Sequence, residues 1–373
     1  MFSRLFKKSK IITLLLVLML TTLIIVGCGK PAATPGETPK PADTKPVELR
    51  LAHFFPATHP VETEIITGWA KAIAEATDGR VKITSYPAGT LVPAAEIYEG
   101  VVQGVADIGI SVYAYTRGRF PVIETFLLPG INFNNSKVSS FAAMEGIKKL
   151  NPQEIQDVKH LWTWGSGPGD LMMKTTPVRK LEDIRGLEIG ATAGPRADGL
   201  KMLGATPVIL PMGEWYEALS RGIMHGGVAP VETMQGFRLG EVTGDYITLT
   251  PFLYNQLFFS VMNLDKWNSL SPDIQKIITE TTEKFYAENL PGLWDKINER
   301  GLKWAKDQKP REVITLSKEE NARWIEAIQP VQNDYVEFLN SRGLPGEEIL
   351  KTVKEIAEKY NKQYPDVAPY VGK

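Results

Sequence analysis

The chain has 373 residues, 43% hydrophobic and 23% charged, with a formal net charge of -1, enough to bury the cores of two or three domains. A near-neutral balance offers no basic face for phosphates and excludes a nucleic-acid binder. One cysteine and four scattered histidines (His53, His59, His160, His225) give no zinc-type spacing and allow no intrachain disulfide, so neither a metal site nor a cofactor is expected.

At the start of the chain, residues 1–10 carry Arg4, Lys7, Lys8 and Lys10, and residues 11–26 (IITLLLVLMLTTLIIV) are nearly all apolar. With Gly27 before a cut, this predicts a secretory signal over residues 1–27. Ile25-Val26-Gly27-Cys28 resembles the bacterial lipobox. That implies a lipidated Cys28, which holds the protein on the bilayer outside the cytoplasm. The competing reading is an uncleaved membrane helix, because the apolar run is close to bilayer-spanning length. Residues 28–46, rich in proline, threonine and alanine, predict a disordered tether with a reach on the order of 50 Å at about 3.1 Å per residue.

The globular part starts near Val47. Residues 47–52 alternate with period two and predict a strand. A helix with Ile65, Ile66, Trp69 and Ile73 on one face follows, and Asp78-Gly79 stops it. Strands are predicted at 81–84, 105–112, 159–164, 187–191, 206–210 and 226–230, with helices at 94–103, 196–203 and 214–221. Strands and helices in that alternation argue for open α/β sheets. After residue 260 the pattern turns mostly helical. Ser271-Pro272 opens one helix, Ser317 with Glu320 opens another, and 346–360 is a last amphipathic one.

Six stretches, in order, resemble the solute-binding proteins of tripartite ATP-independent periplasmic (TRAP) transporters, the DctP-like family. They are LAHFFPATHP (51–60), ATDGRVKITSYPAGTL (76–91), GVADIGI (104–110), FPVIETFLLPG (120–130), LEDIRGLEI (181–189) and GATPVILPMGEWYEALSRGI (204–223). The resemblance implies a two-lobed α/β periplasmic-binding-protein fold of the Venus-flytrap kind, with mixed sheets, a long connecting helix and a helical C-terminal part. Residues 47–168 would begin the first lobe, 169–258 the second, and 259–373 would return to complete both. It implies a small organic acid bound between the lobes and a membrane permease partner driven by an ion gradient. A ligand-presenting sensor for a receptor is the alternative. An extracytoplasmic enzyme is the remaining one, but no nucleophile elbow or metal cluster marks catalytic residues.

Ligands of open α/β sheets bind beyond the carboxyl ends of strands. Phe54 and Phe55, Tyr113 and Tyr115, and Trp164 stand at such ends and are candidate pocket walls. The family resemblance implies an arginine after the strand at 187–189 that forks onto the ligand carboxylate. Gly190 stands there instead; should no other cation serve, it would make room for a bulkier ligand. Met212 replaces an aromatic residue common in the family. Arg196, at the entrance to a helix, is the candidate replacement cation, ahead of Lys174 and Arg117. Glu232, just past a strand end, is a candidate acceptor for a ligand hydroxyl or amine.

Overall fold

The computed structural model describes residues 45–116 and 118–367. The predicted signal segment, Cys28, nearly all of the predicted tether, and Arg117 lie outside the described residues. Eleven strands among those described form two mixed sheets. The first holds β1 (Val47–His53), β2 (Val81–Tyr86), β3 (Ile108–Val112), β4 (Val158–Gly165) and β10 (Leu257–Asn263), in the order β2-β1-β3-β10-β4. The second holds β5 (Asp170–Met173), β6 (Glu188–Ala191), β7 (Thr206–Ile209), β8 (Gly226–Ala229), β9 (Tyr246–Leu249) and β11 (Glu312–Thr315), in the order β11-β9-β5-β8-β6-β7. The organisation is the α/β, two-lobed one that the resemblance implies.

Local sequence explains the first sheet. β1 runs parallel to both β2 and β3, and its alternation buries Leu49 and Leu51. β3 and β10 pair antiparallel, with Phe258 opposite Val112. Both are buried along their whole length, as central strands covered on two faces must be. The helix Thr67–Ala76 is entered through a π-helical turn at Val61–Ile66. It ends where the Thr77 hydroxyl donates to the Ile73 carbonyl (2.7 Å) and accepts from the Val81 amide (3.2 Å). Gly79 then turns the chain at φ +75°. The third strand begins three residues later than periodicity suggests. Gly104 turns at φ +74°, and the Asp107 carboxylate accepts from the Arg50 amide and guanidinium before pairing starts.

In the second sheet, β5 places Leu171 and Met173 in one core and Met172 in another. Alternation therefore shows no polar face, and three apolar residues after an aspartate carry no strand signal of their own. β7 lies at an edge, where Pro207 is tolerated because no partner needs its missing amide hydrogen. The chain passes between the sheets after β4, after β9, and through the helices Pro272–Asn289 and Leu293–Gln308 that lead to β11. Ser317 caps the helix Lys318–Ile328 by accepting from the Glu320 amide (3.2 Å). Glu320 does not return the bond expected of a capping box. Its carboxylate accepts from the Leu181 amide and from Arg323. Among the described residues no helix is long and apolar enough to cross a membrane.

Candidate functional site

Carboxyl ends of strands from both sheets converge on one narrow cavity with a free volume of about 30 Å³, far below the ~300–1,000 Å³ of small-molecule sites, so a ligand enters only as its walls part. β1 delivers Phe54 and Phe55, and the turn after β3 delivers Tyr115. The segment after β6 supplies Arg196, β7 leads to Met212, and β8 leads to Glu232. Phe54 stacks on Phe55 at 4.2 Å between ring centroids and meets Tyr115 edge-on at 5.4 Å. Trp215, Phe237, Tyr254, Phe258 and Trp294 complete an aromatic wall, with Phe258 stacked on Trp294 at 4.5 Å.

Arg196 is the main polar feature. It is 3% exposed, and its Cζ lies 3.8 Å from the centroid of the Tyr254 ring. Nη1 donates to the Thr192 hydroxyl (2.7 Å); Nη2 donates to the Asn255 carbonyl (2.8 Å) and to Gln256 Oε1 (3.0 Å). All three partners are neutral, and the buried Nε–H has none. A guanidinium has five N–H donors, so two remain unspent. Among the described residues no carboxylate lies within ion-pair distance of it. Burial lowers its pKa, against an upward pull from the Tyr254 and Tyr115 phenols, yet a guanidinium stays charged at any physiological pH. A desolvated cation without a counter-ion is costly, and an anion entering the cavity offsets that cost. Gly194 and Pro195, at the helix start, face a separate outer groove. The side chain therefore supplies the charge, without the helix amides expected from its position.

Glu232 is 4% exposed. His59 accepts the Val61 amide hydrogen at Nδ1 (3.1 Å), which assigns the ring proton to Nε2 and leaves the imidazole neutral. Nε2–H then donates to Glu232 Oε2 (3.0 Å). A second bond across the lobes runs from the Met212 amide to the Tyr115 hydroxyl (2.9 Å). Burial raises the Tyr115 pKa far beyond its ordinary value, so the phenol stays protonated.

Six of the nine residues singled out as ligand contacts meet at this cavity: Phe54, Phe55, Tyr115, Arg196, Met212 and Glu232. The other three stand behind its wall. Tyr113 bonds Thr163 (2.8 Å) and packs edge-on against Phe120 at 4.9 Å inside the first core. Trp164 backs Phe258 at 5.0 Å. Gly190 opens onto Trp215 and Met224, since a Cβ there would lie 3.1 Å from Trp215 Cη2 and 2.8 Å from Met224 Sδ. The room it makes is taken by those side chains rather than by a ligand. Lys174 is exposed and does not line the cavity. Among the described residues there is no cluster of metal-ligating side chains.

Sequence reasoning missed Tyr254, Phe258 and Trp294, which reach the cavity only through the crossings after β9 and after residue 263. It also missed a Ser85–His53–Glu62 cluster. Both the hydroxyl (3.0 Å) and the carboxylate (2.9 Å) meet the same ring nitrogen, His53 Nε2, while Nδ1 has no partner. A relay needs the acid on one nitrogen and the nucleophile on the other, and this cluster lacks that arrangement.

The family model described as bacterial extracellular solute-binding protein, family 7 (DctP), matches residues 51–337. The C4-dicarboxylate-binding periplasmic protein DctP of Rhodobacter capsulatus is 24% identical over 81% of this chain and 90% of its own. A marine-metagenome TRAP solute-binding protein specific for aromatic acid ligands, solved with metahydroxyphenylacetate, superposes with a TM-score of 0.80. It is 29% identical, covering 84% of this chain and 99% of that one. A TRAP solute-binding protein of Rhodoferax ferrireducens, solved with copurified benzoate, gives a TM-score of 0.79 at 26% identity, covering 85% and 99%.

Proposed function

The chain belongs to family 7 of the bacterial extracellular solute-binding proteins, and from that premise we propose that its solute is a small aromatic monocarboxylate. The observation that carries this reading is Arg196, a buried guanidinium with two unspent donors and no counter-ion, set in an aromatic-walled cavity. The carboxylate takes an open donor of Arg196, and the ring lies against Phe54, Tyr115 and Trp215. Charge-assisted bonds in a desolvated site are stronger than their counterparts in water. The bound benzoate and metahydroxyphenylacetate of the two similar structures support the same class. No residue of the cavity is asked to break or make a covalent bond. Release to a TRAP-type permease follows from the binding role, as does a position outside the cytoplasm; the lipobox-like Ile25-Val26-Gly27-Cys28 supports a lipid anchor on Cys28.

Mass spectrometry of small molecules released from protein purified from its native host tests the ligand class. An aromatic carboxylate is the expected product. A sugar, a peptide or a C4-dicarboxylate would overturn it. Intact-mass analysis of the membrane-extracted protein tests the anchor, which predicts a chain that begins at a lipidated Cys28.

A further inference from the structure

The cavity has a second polar feature with chemistry opposite to that of Arg196. Glu232 is almost fully buried, in the wall between this cavity and an outer groove that Arg300 and Lys303 also line, and His59 cannot neutralise it, because the imidazole accepts at Nδ1 and is itself neutral. A carboxylate offers about four lone-pair sites. Only one hydrogen bond, from His59, is made to this one among the described residues. Its backbone is fixed by the Glu232 amide donating to Asn298 Oδ1 (3.0 Å). Tyr254 lies in the fields of both charges, which act on its phenol in opposite senses. Arg196 and Glu232 make no ion pair with each other.

We propose that the Glu232–His59 pair is a specificity-determining acceptor, and that the preferred ligand carries a ring hydroxyl as well as the carboxylate. This rests on the reading of Arg196 as the carboxylate site. An aromatic acid without a donor sets its ring against an uncompensated negative charge. A phenolic O–H turns that contact into a charge-assisted hydrogen bond. His59 belongs to the loop after β1 and Glu232 follows β8, so the ligand hydroxyl engages a contact that joins the two lobes.

Calorimetric titration of the wild-type protein with benzoate, 3-hydroxybenzoate, 4-hydroxybenzoate and 3-methoxybenzoate is the test. At least one hydroxybenzoate binds about tenfold or more tightly than benzoate, as a charged hydrogen bond implies. The methoxy analogue, which lacks the donor, gains nothing. In Glu232→Gln the hydroxyl advantage falls to less than about threefold, while benzoate binds at least as tightly as before, because a like charge has gone. The wild-type series decides the matter even if the variant misfolds. Equal affinity for benzoate and both hydroxybenzoates, or a preference unchanged in Glu232→Gln, overturns the proposal and leaves the aromatic-acid reading standing. Failure of all four acids to bind overturns both.

Discussion

Gly190 and Gly227 face each other on neighbouring strands β6 and β8, and Trp215 fills the notch left by their missing side chains. A Cβ on Gly227 would lie 2.2 Å from Trp215 Cζ3. The indole is held by its Nε1–H, which donates to the Leu210 carbonyl (3.0 Å). The position where the family's arginine is expected is thus spent on seating an aromatic wall residue, and the cation enters from Arg196. The same space cannot hold both. Gly190→Arg should therefore destabilise the protein by at least about 3 kcal/mol, through overpacking and a second buried cation, and should not improve anion binding. Thermal melts with and without benzoate measure both effects. A Gly190→Arg protein as stable as wild type and tighter for benzoate would show that Trp215 is not fixed there.

At the scale of elements, the passages between sheets matter most. Asp170 opens β5 and accepts the Thr250 amide hydrogen (3.0 Å) just past β9, so one carboxyl ties the outgoing chain to the returning one. Burial raises its pKa to about 7, against the opposing pull of that amide. Between about pH 4 and about pH 7 the folded chain keeps a proton that the unfolded chain has released, so this group's contribution to stability falls as pH rises. Asp170→Asn keeps the acceptor and removes the titration. Its stability relative to wild type should grow by about 4 kcal/mol across that window. Glu154, also raised to about 7 by burial, acts in the same direction; His160, lowered to about 4 by burial, acts in the other. The difference between the two proteins in urea unfolding isolates Asp170, and a difference flat with pH would refute the assignment. These passages are also where sequence patterns ran out. β1 and β3 were legible from alternation and from a small apolar run. β5 and β9 are four residues each, and β10 (LFFSVMN) sits at the start of a stretch whose later pattern is helical. Tyr113 and Tyr115 share one 3₁₀ turn, and residues two apart there point different ways. No local pattern tells which of the two meets the cavity.

For the molecule as a whole, the cavity is built from both lobes and bridged by two hydrogen bonds, Met212 to Tyr115 and His59 to Glu232. A ligand that contacts both walls favours the closed arrangement by as much as it prefers that arrangement over the open one. Small-angle scattering should show a smaller radius of gyration with saturating aromatic acid; an unchanged radius would count against closure. The central claim is that a ligand carboxylate completes the uncompensated charge of Arg196. Titration calorimetry with benzoate and its neutral isostere benzamide, on wild type and Arg196→Ala, tests it most directly. The account predicts that wild type prefers benzoate strongly, and that Arg196→Ala loses about tenfold to a hundredfold in benzoate affinity with little change for benzamide. Equal binding of acid and amide by wild type, or full benzoate affinity in Arg196→Ala, would contradict it.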